Sequence, residues 1–167
     1  MVETRTEPDA LASSASFEEF FRAEFASVAR ALVIVTGNIG IAEDLAQEAF
    51  ARTFERWERV RDMGSPAGYV YHAALNLHRS RLRRAAVALR HRGTGASPPE
   101  GEPDLRHQVR EMLASLPRAQ REALMLVEWL GYPAQEAARI LGVRASSVRG
   151  RLHRARITLR ERFGGDA

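Results

Sequence analysis

Residues 143–167 hold seven arginines against two acids, and their spacing suits the reading of nucleic acid. Val148, Leu152, Ala155, Leu159 and Phe163 recur at helical intervals and form one apolar stripe. Arg149, Arg156 and Arg160 fall on one flank of that stripe, and Arg144, Arg151, Arg154 and Arg162 fall on the other. Opposite the stripe, the first turns carry only Ser146, Ser147, Gly150 and His153. A slim polar face between two rows of fixed positive charge suits a duplex major groove with phosphates on both walls. Just upstream, Ala138, Gly142 and Val148 stand four and six residues apart. Those are the intervals of a helix-turn-helix: a small residue where two helices cross, a glycine in the turn and an apolar anchor early in the second helix. The plain alternative is a surface helix merely coated with arginine.

Two further groups of side chains bear chemistry. Residues 64–99 contain six arginines and no acid. There Tyr69, Tyr71 and His72, followed by Asn76, Arg79, Arg83 and Arg84, combine flat rings, an amide and guanidiniums. That mixture suits separated strands, whose bases stack on rings while the backbone follows positive charge. Tyr69 fits burial in a core equally well. By contrast, Asp44, Gln47, Glu48 and Glu55 share the outer face of a helix that cannot lie on DNA, because carboxylates repel phosphate. Such a face either docks a protein or is simply solvated, laced by i,i+4 pairs such as Glu48–Arg52. Residues 1–63 are acidic on balance, so the chain offers two basic surfaces and one acidic surface, hence two kinds of partner.

The elements that must hold these groups are all helical. Residues 1–15 read as a disordered leader. Ser16 with Glu19 has the spacing of a capping box, and Phe17, Phe20, Phe21, Phe25, Val28 and Leu32 give the following helix an apolar face as far as Thr36-Gly37. A second helix is expected from about Ile41 to Val60, with Leu45, Ala49, Phe50, Phe54 and Trp57 inward. A third starts at Ser65-Pro66 and runs to about Arg90, with Val70, Ala73, Ala74 and Leu77 in the core. The stretch Arg92–Pro103, rich in Gly, Pro and Ser, cannot bury enough apolar surface to fold and reads as a linker. Beyond it, Leu116-Pro117 restarts a helix to about Leu130, with Leu124, Val127 and Leu130 inward. Gly131 stops that helix, and Pro133 begins the helix-turn-helix. The expected fold is all-α, two small helical domains (16–91 and 105–167) joined by a flexible linker (92–104).

Composition excludes several classes. With no cysteine, disulfides and thiolate metal sites are ruled out, and residence in the cytoplasm fits. No apolar run approaches the length of a membrane span, and the N-terminus lacks a signal-peptide pattern. The five histidines show neither a metal-ligand pair nor a nucleophile partner, and no Gly-rich phosphate loop is present. No enzyme, metal or cofactor is therefore expected. Every basic side chain is arginine, which suits phosphate and guanine recognition but equally reflects a GC-rich genome.

The segments AEDLAQEAF (Ala42–Phe50), Trp57 and GYVYHAALNLHRSRLRR (Gly68–Arg84) resemble region 2 of the extracytoplasmic-function (ECF) sigma factors of bacterial RNA polymerase. LPRAQREALML (Leu116–Leu126) and the helix-turn-helix ending in RLHRAR (Arg151–Arg156) resemble region 4 of that family. The resemblance covers about 16–90 and 108–163, in the family's order.

It implies a polymerase-docking surface at Asp44, Gln47 and Glu48, against the clamp coiled coil of the β′ subunit. It implies recognition and melting of the minus-ten element by Arg61, Tyr69, His72, Asn76, Arg79, Arg83 and Arg84. In the family, the loop corresponding to Arg61–Ser65 captures an extruded base. Unstacking one costs a few kcal/mol that the pocket must recover. It implies recognition of the minus-thirty-five duplex by Arg144, Ser146, Ser147, Arg149, Arg151, His153 and Arg154, with Arg149 the best placed for guanine. Core polymerase (β′ clamp coiled coil and β flap), promoter DNA and an anti-sigma factor are the implied partners, and the chain alone is expected to be monomeric.

Two departures from the family pattern stand out. Ser80 replaces a frequent Asp, and Arg144-Ala145-Ser146-Ser147 opens the recognition helix with a weak cap. The linker acids Glu100, Glu102 and Asp104 either mimic nucleic acid or belong to a passive tether. A stand-alone helix-turn-helix repressor or activator is the rival reading. It would dimerise on two half-sites. A pure interaction module would show no dependence on DNA.

Overall fold

Phe17, Phe20, Phe21 and Phe25 line one side of the first helix, and all four rings lie against Phe50 of the second. The computed structural model describes residues 7–92 and 105–164. Their regular elements are α1 (Glu7–Thr36), α2 (Ile39–Phe54), α3 (Trp57–Val60), α4 (Pro66–Arg92), α5 (Leu105–Ala114), α6 (Arg118–Leu124), α7 (Ala134–Leu141) and α8 (Ala145–Phe163). No strand occurs among the described residues. Residues 93–104, which hold most of the expected linker and its acids Glu100, Glu102 and Asp104, lie outside them, as do residues 1–6 of the expected leader.

The helix starts show where local signals hold and where they fail. Ser16 does not cap α1, which is already helical from Glu7. Its hydroxyl instead accepts the indole N–H of Trp57 at 2.8 Å, so the side chain serves a partner far along the sequence. Gly37, at φ 69°, ends α1 in the left-handed conformation that glycine adopts at little cost. Asn38 then caps α2, its side-chain oxygen accepting from the Ile41 N–H at 2.9 Å. The expected helix 41–60 is divided at Glu55-Arg56, where the Arg56 N–H turns back to the Thr53 carbonyl. Phe54, expected inward, is half exposed and touches the cluster only at Phe17. Ser65 opens α4 as expected, accepting from the Gly68 N–H at 3.1 Å.

In the second half, α6 widens into a π-helical turn over Met125–Trp129. The Leu130 N–H donates to the Met125 carbonyl five residues back, and the Tyr132 N–H donates to Leu126. A π turn inserts one residue and rotates the face that follows. Met125 and Leu126 continue the face of the buried Glu122 and Ala123 and are fully buried, whereas Leu124, Val127 and Leu130, expected inward, are only partly covered. Gly131 and Gly142 stop their helices at φ 75° and 67°. Ala138, Val148, Leu152 and Ala155 are buried between α7 and α8. Phe163 is exposed, because the apolar stripe runs past the end of the bundle.

Two helical groups thus form, α1–α4 and α6–α8, and they meet, with α5 lying against α1. α7 packs on α4, and α6 with its π turn packs on α1. Buried residues of both halves join in one continuous core.

Candidate nucleic-acid interface

α8 presents its outer face as the stripe requires. Arg144, Ser146, Ser147, Arg149, His153 and Arg154 are all exposed, with Val148 and Leu152 turned into the core beneath them. Arg151 differs: it is half-buried, and its Nη1 is covered without a hydrogen-bond partner. Arg144 stands at the N-cap with extended backbone and no side-chain cap bond, while the Ser147 N–H donates to its carbonyl at 2.9 Å. A Cβ at Gly150 would meet only the Arg154 guanidinium, at 3.5 Å, so nothing within the chain demands glycine there. Arg156 leaves this face and pairs with Glu128 on the π turn.

α4 carries a network that sequence spacing does not show. The His72 ring donates from Nδ1 to the Ile140 carbonyl at 2.7 Å, since a carbonyl can only accept. That leaves Nε2 to accept from Asn76 Nδ2 at 2.9 Å. Asn76 Oδ1 in turn accepts from Arg79 Nη1 at 3.4 Å. Arg79 spans onward to Glu122, with Nε and Nη2 at 3.2 and 2.8 Å from its two carboxylate oxygens. Glu122 is 1% exposed and also accepts from Arg118 at 2.7 Å. Tyr69 is half-buried, its hydroxyl accepting from Arg56 at 3.3 Å. Tyr71, grouped with the base-stacking rings on sequence, is instead core. It is 2% exposed, lies edge-on to Tyr132, and its hydroxyl is held above its ordinary pKa chiefly by burial. Arg83 and Arg84 are exposed, and Arg61 pairs with Glu58 at 3.1 Å.

On α2, Asp44 and Gln47 are exposed beside the buried Leu45 and Ala46. Glu48 is the engaged member of this face. It pairs with Arg52 as the spacing suggests, and also with Arg81 of α4 at 2.7 Å. The Arg81 hydrogen bond, ahead of Arg52, holds its carboxyl below the ordinary value against the opposing effect of burial.

An acidic helix, a basic helix and a helix-turn-helix therefore stand in this order on one chain. Family models match both halves: "Sigma-70 region 2" over residues 21–87 and "Sigma-70, region 4" over residues 106–159. The "ECF RNA polymerase sigma factor SigC" of Mycobacterium tuberculosis is 31% identical over 154 residues, covering 86% of this chain and 81% of that protein. The chain belongs to the ECF RNA polymerase sigma factors. It is also 31% identical over 145 residues to the "Probable RNA polymerase sigma factor RfaY" of Xanthomonas campestris, which aligns with 75% of this chain. There the match covers only 35% of the relative's length. The solved Bartonella quintana sigma factor RpoE, in complex with the anti-sigma factor NepR, shares the fold with a TM-score of 0.76. That likeness covers 91% of this chain and 99% of that one at 22% identity.

In this sigma factor, the region 2 match falls within α1–α4 and the region 4 match within α5–α8. Glu122, Arg118 and Arg81 escaped the sequence reading. Each lies among residues whose periodicity marks only a helix, and their partners come from other elements or sit on a buried face.

One more buried polar group belongs to the same contact. His78, 7% exposed, has its pKa lowered, first by burial and then by the charge of Arg118. The unfolded chain therefore binds a proton at His78 more readily than the folded one, and stability falls as pH drops below the ordinary value of about 6.5. Glu48 acts in a separate window. Its stabilisation is present above about 4.5 and is lost as pH falls through its lower folded value. Urea midpoints measured from about pH 7 to about pH 5.5 should fall for the native chain and stay nearly flat for His78→Gln. Equal slopes in the two proteins would exclude His78 as the cause.

Proposed function

We propose that this sigma factor directs core RNA polymerase to bipartite promoters and helps open the minus-ten region. What carries this reading is the pairing, on one chain of this family, of an exposed arginine-edged α8 with a basic, ring-bearing α4 and an acidic α2. In it, Arg144, Ser146, Ser147, Arg149, Arg151, His153 and Arg154 engage the minus-thirty-five duplex. Arg61, Tyr69, His72, Asn76, Arg79, Arg83 and Arg84 engage the minus-ten strand. Asp44 and Gln47, with Glu48 beside them, dock on the polymerase β′ clamp coiled coil, and region 4 reaches the β flap. The polymerase makes the RNA; this chain supplies recognition and strand capture.

No helix among the described residues is long and apolar enough to cross a membrane. The proposed site of action is the cytoplasm, where core polymerase and promoter DNA would be met. An anti-sigma factor is the proposed regulator, supported by the solved relative that carries one.

Transcription reconstituted on a matching promoter, with core polymerase and with or without this chain, tests the reading. Initiation should require the chain. Arg149→Ala should lower it roughly 5- to 150-fold, the equivalent of one bidentate guanine contact worth about 1–3 kcal/mol. Initiation that ignores the chain, together with tight duplex binding by a dimer of it, would establish a stand-alone repressor or activator instead.

A further inference from the structure

A groove of about 640 Å³ runs between the end of α1, the start of α2 and α5. One wall is Val33 and Ile34 of α1 with Ile39 of α2, and the other is Val109 and Leu113 of α5. Two of these side chains are unusually open for their type: Ile39 is 61% exposed and Val109 is 48% exposed. Gly37, also on the lining, does nothing to fill the space, since a Cβ there would meet no atom within 4 Å. Apolar surface left in water favours whatever covers it.

The charged part of the lining is cationic and consists of Arg110 and Arg121. Thr36, the other polar side chain there, already donates its hydroxyl to the Asn38 carbonyl at 3.0 Å. Arg121 is half-buried. Its Nη1 donates to the Leu113 carbonyl at 3.3 Å, and its Nε is covered with no hydrogen-bond partner. The adjacent Glu122 is taken up by Arg79 and Arg118, and among the described residues no carboxylate pairs with Arg110 or Arg121. Burial, and then the charge of Arg118, push the Arg121 pKa down. A guanidinium nevertheless keeps its proton, so Arg121 remains a partly desolvated cation without a counter-charge.

Size decides what kind of anion fits. The α5 wall extends from Val109 to Leu113, about 6 Å along the helix axis. A docked amphipathic helix spaces its anchors from i to i+7, about 10 Å, and needs a longer strip. The volume instead falls within the range of about 300–1,000 Å³ typical of small-molecule clefts, with apolar walls and a few polar groups to fix orientation. A planar carboxylate is the anion a guanidinium holds best.

We propose that this groove binds a free medium-chain fatty acid, its alkyl chain lying between the α1–α2 wall and α5 and its carboxylate on Arg121 and Arg110. The walls come from both halves of the chain, so one ligand touches region 2 and region 4 together.

Isothermal titration calorimetry of the full chain with decanoate, octanoate and decanol tests the site. Decanoate should bind saturably at one equivalent. Octanoate, two methylenes shorter, should bind about tenfold more weakly, since each buried methylene is worth up to about fourfold. Decanol keeps the length and loses the charge, and it should also bind at least about tenfold more weakly. Arg121→Met retains an apolar stem without the cation. It should weaken decanoate about tenfold and leave decanol unchanged, a difference that general damage to the fold would not produce. Arg110→Gln, at an exposed position, should weaken decanoate by a smaller factor and carries the test if Arg121→Met fails to fold. Ile39→Asp, exposed in the first turn of α2 where an acid suits the helix end, should weaken all three ligands.

Absence of saturable decanoate binding overturns the proposal, and so does equal native affinity for decanoate and decanol. Binding that appears only after Glu100→Gln, Glu102→Gln and Asp104→Asn assigns the groove to the chain's own linker. Binding unchanged by all three groove variants places the ligand elsewhere. Either result overturns the proposal.

Discussion

Replacing Glu122 with alanine should destabilise the chain by about 3 kcal/mol, read as a drop in the urea midpoint. Glu122 is almost wholly buried and satisfies both Arg79 and Arg118, so its removal strands two cations at once. Breaking a buried pair by deleting one partner costs about 3–5 kcal/mol, because the other charge stays desolvated. The low end applies here. The Arg79 and Arg118 side chains are 22% and 35% exposed and can recover part of their hydration. Arg118→Ala should cost much less, about 1 kcal/mol, since Glu122 keeps its bidentate partner. Glu122→Gln should fall between them, because the amide oxygen still accepts from one arginine. If Glu122→Ala costs no more than Arg118→Ala, the carboxylate is not the centre of the contact, and region 4 is held on region 2 by apolar packing alone.

Much of the architecture was legible because its punctuation is chemical. Gly37, Gly131 and Gly142 each sit at positive φ where a helix stops, and Pro66, Pro117 and Pro133 stand at or just before the first residue of a helix that follows. The stripe Val148, Leu152 and Ala155 fixed the orientation of α8, and so the exposure of Arg149 on its far side. What was not legible had long-range or register causes. Ser16 with Glu19 satisfies a capping pattern, yet the Ser16 hydroxyl is used by Trp57, a partner no local rule can supply. Met125 and Leu126 follow the buried Glu122 and Ala123 at i+3, and Glu122 is a carboxylate, so a count of apolar residues alone started the face at Leu124 and Val127 instead.

The candidate site divides in the same way. That Arg79 carries charge on the outside of α4 is a property of its position; that this charge is matched by Glu122 is a property of the tertiary fold. Likewise Tyr71 and Tyr69 look equivalent in sequence, but only Tyr71 meets the core of the other half, at Tyr132. A titrating or hydrogen-bonding side chain on a helix advertises its chemistry. Its partner decides whether that chemistry is available. For this chain, the arginines at the tip of α8 are exposed, while His72 and Arg79 of α4 are engaged.

The second large effect belongs to the aromatic cluster that sets α2 in place. Phe50→Ala should cost about 4 kcal/mol, within the range of 3–5 kcal/mol for a buried phenylalanine cut to alanine. Phe50 is 1% exposed, and its ring meets Phe20, Phe21 and Phe25 at centroid distances of 5.6, 5.1 and 5.7 Å. Each such pair adds about 0.5–1.5 kcal/mol beyond area burial, and a cavity ringed by stiff aromatic side chains collapses poorly. Phe54→Ala on the same helix provides the internal comparison. Phe54 is 51% exposed with one ring contact, to Phe17 at 4.9 Å, so its loss should cost about 1 kcal/mol. Urea unfolding of the two variants isolates burial from residue type. Equal costs would show that the cluster relaxes around Phe50 and does not anchor α2. The functional corollary follows from geometry. Asp44 and Gln47 ride on the outer side of the helix whose inner side Phe50 pins to α1. At temperatures where Phe50→Ala remains folded, its chain-dependent transcription should fall more than its single-strand binding does, because the proposed docking face on α2 loosens while α4 stays braced by Glu122 on Arg79.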